Sequence, residues 1–471
     1  MHRLFKNSLI LMVAYIVNII SVFFLTILLA RYLGVADYGK YAFAKAFTAL
    51  FLYIADLGLN TLLIREIAKD KTKTGKYLSN ILGLKIILGI IVFSVISVLI
   101  NRLGYPKETI LIVYMAAAIM LMTSFSNTFR AVFMAFEKMG YEGFLMIFSQ
   151  ISLLGALIFC MDLKVNLLGI MGMFLLCWIL CLLISIYIDA KKFVKLKFSF
   201  GFNLSKWLIK NAVPFGILGI LTMICFNIDS VMLSKMIGER AVGIYNASSK
   251  LVFAVGFISQ AVALSVFPFV SDKWVHNKEQ AINAYKKSFK LLALLGFPIA
   301  VGITILSPHI INLFYGKQYY ESIPVLRVII WVAPFIYLTN MTGRVLSAIN
   351  RQNTLIYITV VNVVVNVGLN TILIPRIGIM GAVVATVITG GISFCLQEYF
   401  ITKFFCKGID FKEILRIALA GGSMGIVIYL LQLWNWWLAV VGGIAVFFSV
   451  AYVCKLISID DVHFLVRKSE S

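Results

Sequence analysis

Eight charged residues lie inside stretches otherwise apolar enough to cross a bilayer: Lys45, Asp56, Lys85, Arg130, Asp229, Lys250, Arg344 and Glu398. A charge at mid-membrane costs roughly 2.5–3.5 kcal/mol on insertion scales. Five of the eight are bases, which would together cost on the order of 12–17 kcal/mol if they faced lipid. They are therefore expected to face protein or a water-filled cavity. A cavity lined by more bases than acids attracts an anion. The planar donor fork of arginine suits phosphate in particular.

The elements that must position these groups are helices. The 471 residues are 61% hydrophobic and the mean hydropathy is +0.98, outside the range of soluble domains. Apolar runs of bilayer length recur, which predicts an all-α polytopic membrane protein with about fourteen transmembrane helices. Arg3 and Lys6 precede a run too long for a signal-peptide core, so the first span is expected to be retained. The net charge of +22 sits mostly in the segments 65–76, 191–210, 273–290 and 403–416. Under fourteen spans all four fall on one side, so both termini are expected in the cytoplasm and the protein in the plasma (inner) membrane. That asymmetry accounts for the charge without a nucleic-acid partner.

Soluble catalytic equipment is not evident. No connection is long enough for an extramembrane domain. No Walker A run, Gly-x-Ser-x-Gly elbow or paired-histidine zinc motif occurs. His2, His276, His309 and His463 are scattered. Cys177 and Cys181 are one helical turn apart but lack a histidine or acidic neighbour, so apolar packing is expected rather than a metal. The chain is thus expected not to be an enzyme and to need no cofactor.

The sequence repeats. Arg31-Tyr-Leu-Gly-Val-Ala-Asp-Tyr-Gly-Lys-Tyr41 aligns with Lys235-Met-Ile-Gly-Glu-Arg-Ala-Val-Gly-Ile-Tyr245, matching a base, two glycines and a tyrosine in register. Gly169-Ile-Met-Gly172 is echoed by Gly378-Ile-Met-Gly381. Two six-helix lobes are expected, 1–207 and 208–408, with two further helices and a cytoplasmic tail in 409–471. An even number of spans gives both lobes one orientation, related by a pseudo-twofold axis along the membrane normal.

Lys45 and Asp56 are eleven residues apart, so both lie on one helix face, about 16 Å apart along the axis. Lys250, beside Asn246, is the near-equivalent of Lys45 in the second lobe, and the two are expected to converge on one ligand. Arg130 and Arg344 sit at matching depth, one per lobe, with either phosphate binding or snorkelling open to them. Lys85 and Glu398 also lie near the inner surface, where snorkelling is open to each. Asp229 could serve Lys250 as counter-ion or hold a cation. Asn340 shares a stripe with Arg344, and Asn362, Asn366 and Asn370 form another. These asparagines suit interhelical hydrogen bonds or glycan hydroxyls.

Three motifs carry a family resemblance: the 31–41 joint, Asp56-Leu-Gly-Leu-Asn60 and Arg65-Glu-Ile-Ala68, followed in the second lobe by Asp229, Gly238 and Val242-Gly-x-Tyr245. Together they resemble the polysaccharide-synthesis (Wzx-type oligosaccharide-lipid flippase) branch of the multidrug/oligosaccharidyl-lipid/polysaccharide flippase superfamily. The resemblance implies a two-lobed alternating-access transporter. Its substrate would be a polyprenyl-pyrophosphate-linked oligosaccharide, an O-antigen or other surface polysaccharide unit, moved from the cytoplasmic to the outer leaflet. A polymerase and a chain-length-control protein would be pathway partners. The last two helices resemble the extra pair of the lipid II flippase branch, which forms a groove for the lipid tail.

Lys45, Lys250, Arg130 and Arg344 are the head-group candidates by depth and face, with Asn246, Asn340, Asn362 and Asn366 as glycan contacts. Coupling to H+ or Na+ is left open, with Asp56 or Asp229 as its site. A peptidoglycan lipid II-type flippase and a cation-coupled multidrug exporter of the same superfamily are the alternatives. The exporter would favour an acidic, aromatic cavity.

Overall fold

The computed structural model describes residues 2–194, 201–407 and 411–456. The 408/409 boundary, the tail with His463 and part of the 191–210 and 403–416 segments lie outside them. The described chain is helical, with short joints and two single-turn 3-10 segments. It divides into two compact units, Met1–Gly243 and Ile244–Ser471. This packing boundary is not the repeat boundary expected near 207. Helix 202–236 packs against the first helix, and packing and duplication are different criteria.

The first unit contains α1 (His2–Asp56), α2 (Leu59–Lys69), α3 (Thr74–Arg102), α4 (Lys107–Ala135), α5 (Met139–Asp162), α6 (Leu167–Lys192) and α7 (Phe202–Met236). Helix α8 (Glu239–His276) begins in it. The second contains α9 (Lys278–Tyr315), α10 (Ser322–Ile329), α11 (Val332–Ala348), α12 (Gln352–Ile377), α13 (Ile379–Phe404), α14 (Phe411–Leu431) and α15 (Trp436–Val453). Twelve described helical stretches are long and apolar enough to cross a membrane. Two places separate this number from the expected fourteen. The stretch Leu9–Lys69 is a single candidate although it breaks at Gly34 and at Leu57–Gly58, and Leu415–Leu431 is shorter than the rest.

In the first unit α1 packs on α4, α5 and α7, and α4 and α5 pack on α6. One core joins Leu25 and Leu29 to Leu157, Cys160, Ile170, Phe174 and Cys177, so these two cysteines are packing residues. A second core gathers Leu59, Leu63, Ile67, Leu78, Val132 and Leu208. Leu59, Leu62, Leu63, Glu66 and Ile67 form the buried stripe of α2, the 3–4 spacing of an amphipathic helix. In the second unit α9 packs against α10, α11, α14 and α15, while α12 pairs with α13. Leu419, Ile426, Tyr429, Val441, Ile444 and Phe448 of α14 and α15 are exposed. So large an apolar surface is stable against lipid rather than water. The chain is a multi-pass membrane protein.

Two glycine sites set helix spacing in the first unit. Gly39 and Gly243 occupy equivalent positions of the repeated joint and meet each other. A Cβ on Gly39 would lie 3.1 Å from the Gly243 nitrogen, and one on Gly243 would lie 3.3 Å from the Gly39 nitrogen. The second site is the break between α1 and α2, where Leu57 (φ 47°) and Gly58 (φ 81°) turn left-handed. A Cβ on Gly58 would stand 2.7 Å from Phe215 Cβ and 2.8 Å from the Ala212 carbonyl oxygen of α7. Gly104 has a similar φ of 75° with nothing within 4 Å of its Cβ position. A left-handed L-residue costs roughly 1–2 kcal/mol in itself. Gly104→Ala is therefore expected to show only that strain, and Gly58→Ala a larger loss because the backbone of α7 must also shift. Thermal unfolding of the two variants in detergent checks this; equal losses would mean that the α2–α7 contact yields freely.

Candidate functional site

The Asp56-Leu-Gly-Leu-Asn60 motif is built around the break just described. α1 ends at Asp56, the left-handed pair reverses the path, and Asn60 enters the first turn of α2. Both polar side chains then meet the ammonium of Lys85 from α3. Lys85 Nζ lies 2.6 Å from Asp56 Oδ1. It donates to Asn60 Oδ1 at 3.2 Å, to the Ser124 carbonyl oxygen at 3.0 Å and to Ser124 Oγ at 3.1 Å. Thr128 Oγ1 donates to the same Asn60 oxygen at 2.9 Å. Lys85 is 2% exposed. The snorkelling left open to it by the sequence is thus set aside, because burial against α1, α2 and α4 satisfies all three of its N–H donors.

Lys45 has a different environment. It is exposed and lines a cavity of about 260 Å3 inside the first unit, with Thr48, Gln150, Tyr41 and Trp178 among the other lining residues. Its ammonium lies 5.9 Å from the Tyr41 ring centroid. No carboxylate is ion-paired with it among the described residues. Asp56, eleven residues on, does not line this cavity; α1 runs unbroken between the two residues, and a separation of about 16 Å along its axis gives them different neighbours. A larger cavity of about 480 Å3, with Asn7, Glu137, Lys138 and Tyr141 among its lining residues, sits at the α4–α5 joint.

The remaining sequence candidates are distributed over both units. Arg130 is half-buried and forks onto both carboxylate oxygens of Glu142, with Nε donating at 2.9 Å, and its Nη1 donates to Asn127 Oδ1 at 3.1 Å. Its charge is therefore already matched within the unit. Asp229 is buried in α7. In the second unit Lys250 is exposed, with its ammonium 5.9 Å from the Phe253 centroid. Arg344 is half-buried in α11. Asn246 is buried. Asn340 donates to Ser259 Oγ at 2.8 Å. Asn370 donates to Asn366 Oδ1 at 3.0 Å along α12, and Asn362 is half-buried one turn earlier. Glu398 accepts from the Tyr285 hydroxyl at 3.3 Å.

Sequence reasoning missed Gln150, Trp178 and Glu142. Gln150 is an isolated amide in an apolar helix and belongs to no motif. Glu142 stands in the first turn of α5, just before the apolar run of that helix begins.

Two families match the chain. The polysaccharide biosynthesis protein family covers residues 4–274, and the MatE family covers residues 214–372. Among curated relatives, the "Probable low-salt glycan biosynthesis flippase Agl15" of Haloferax volcanii is 24% identical over 82% of this chain and 80% of its own. The capsular polysaccharide biosynthesis protein CapF of Staphylococcus aureus is 23% identical over 85% of this chain and all of its own length. Among solved structures, lipid II flippase MurJ in an inward closed conformation superposes with a TM-score of 0.78 at 18% identity, covering 95% of this chain and 98% of that one. That last likeness is one of fold.

Removing one partner of a buried ion pair costs about 3–5 kcal/mol, because the other charge stays uncompensated. Asp56→Ala and Lys85→Ala are each expected to lower thermal stability by that order, and Asp56→Leu with Lys85→Met to recover most of it. Unfolding of the purified variants reads this out, and two harmless single changes would mean that the pair is solvated. Matched over more than half its length, the chain belongs to the polysaccharide biosynthesis protein family, within the superfamily that also holds the MATE transporters and the lipid II flippases.

Proposed function

We propose that this protein is a flippase, carrying a polyprenyl-pyrophosphate-linked oligosaccharide from the cytoplasmic to the outer leaflet of the plasma membrane by alternating access. The observation that carries this reading is Lys45: a base without an ion-pair partner among the described residues, lining a cavity within a membrane-spanning unit. A pyrophosphate supplies the missing charge. The names of the relatives support a saccharide-linked cargo. Lys250 and Arg344 are the candidates for head-group contacts in the second unit. Arg130 could join them only by releasing Glu142. Asn246, Asn340, Asn362 and Asn366 are the proposed glycan contacts; Asn340 and Asn366 would exchange the hydrogen bonds they now make to Ser259 and Asn370.

The same reading places both termini in the cytoplasm and gives the protein no catalytic step. Coupling to H+ or Na+ would use Asp56 or Asp229, the former ion-paired with Lys85. A polymerase and a chain-length-control protein would receive the flipped unit. A base at the cavity disfavours an exporter of organic cations, which Lys45 would repel.

The test is translocation in proteoliposomes of a fluorescent polyprenyl-pyrophosphate oligosaccharide, with leaflet position read by quencher access. Lys45→Ala is expected to slow movement about tenfold or more, the loss that follows from one charge-assisted hydrogen bond. Lys45→Arg should retain most of the rate. Undiminished movement in Lys45→Ala would remove this residue from the head-group site.

A further inference from the structure

We infer that the cavity beside Lys45 is a subsite for one pyranose ring of the carried head group, with Gln150 as its recognition amide. The inference rests on the flippase reading and names which part of the cargo the cavity takes. Gln150 is 8% exposed and lines the cavity, yet its amide has no hydrogen-bond partner among the described residues. The amide is not among the sealed unpaired polar atoms, so it opens onto the cavity, where a polar occupant can meet its donors and its acceptor.

The surrounding donors and acceptors decide which occupant. The Thr48 hydroxyl donates to the Ala44 carbonyl oxygen at 2.8 Å, and Thr123 donates to the Ile119 carbonyl oxygen at 2.8 Å. Each hydroxyl hydrogen is thereby used within its own helix, and what remains for a ligand is oxygen lone pairs. Lys45 supplies donors only, and the Gln150 amide supplies both kinds. A phosphate offers acceptors alone and would meet the threonine oxygens unfavourably. A sugar hydroxyl both donates and accepts, which matches all four groups. Trp178 and Tyr41 complete the lining and add aromatic surface, which suits the apolar C–H groups of a pyranose.

Size points the same way. A volume of about 260 Å3 falls below the range of roughly 300–1,000 Å3 typical of drug-sized ligands. It suits one ring rather than a whole oligosaccharide. The pyrophosphate and the remaining sugars would then lie outside this subsite, with Lys45 at its border.

The experiment compares flipping of sugar-free polyprenyl pyrophosphate with that of the same lipid carrying a single N-acetylglucosamine, galactose or glucuronic acid. Wild-type protein is expected to move at least one glycosylated lipid faster than the sugar-free one. Gln150→Leu removes the amide, and Ala49→Leu fills the cavity from another lining position. Each is expected to reduce that preference roughly tenfold, as for a site that loses a hydrogen bond to its substrate. Both variants are first checked for a monodisperse elution profile, so that misfolding is not read as lost preference. Equal wild-type rates for all four lipids would overturn the subsite while leaving the flippase reading intact. A preference untouched in both folded variants would do the same. Movement of none of the lipids would overturn the flippase reading and the subsite with it.

Discussion

A charge inside a membrane must be neutralised, and the pairing of Lys85 with Asp56 shows how the first unit meets that demand. One ammonium collects groups from α1, α2 and α4 and so fixes where α3 stands among them. The left-handed turn at Leu57–Gly58 exists between the two acceptors that Lys85 needs, Asp56 before it and Asn60 after it. Gly58 in turn allows α7 to approach the turn at van der Waals distance. Arg130 and Glu142 repeat the principle between α4 and α5. Against this background Lys45 stands out, since its neighbours are a cavity and an aromatic ring rather than a carboxylate. Lys85 and Arg130 are matched within the protein, whereas both carboxyl oxygens of the buried Asp189 have no hydrogen-bond partner among the described residues; Lys45 differs from all three in facing a cavity.

The sequence made the class of fold legible because hydropathy acts over whole helices. A retained apolar run of bilayer length leaves few alternatives to a membrane helix. The family was legible from the 31–41 joint and the Asp56–Asn60 and Arg65–Ala68 motifs, which mark places where backbone geometry constrains residue choice. The charged positions were legible as a set, because each interrupts an apolar run.

Their partners were not. Lys85 and Asp56 are far apart in sequence, and only the tertiary packing brings α3 against the end of α1. Helical periodicity places Lys45 and Asp56 on one face of the unbroken helix, but it does not say which neighbour each meets at its own height. Glu142 was hidden by its place in the first turn of α5, and Gln150 by its neutrality. An uncharged amide in an apolar helix carries no periodic signal; its meaning comes from the cavity beside it. The number of crossings was blurred by the opposite effect, since the helical path from residue 9 to 69 continues through breaks at Gly34 and Gly58.

The central claim is that the cargo is an anionic, saccharide-bearing lipid. It is tested most directly by presenting wild-type protein in proteoliposomes with two cargoes, a fluorescent polyprenyl-pyrophosphate oligosaccharide and an organic cation under a proton gradient. The account predicts protein-dependent movement of the pyrophosphate lipid between leaflets and no transport of the cation. Proton-driven transport of the cation without movement of the lipid would contradict it and make the protein a drug exporter.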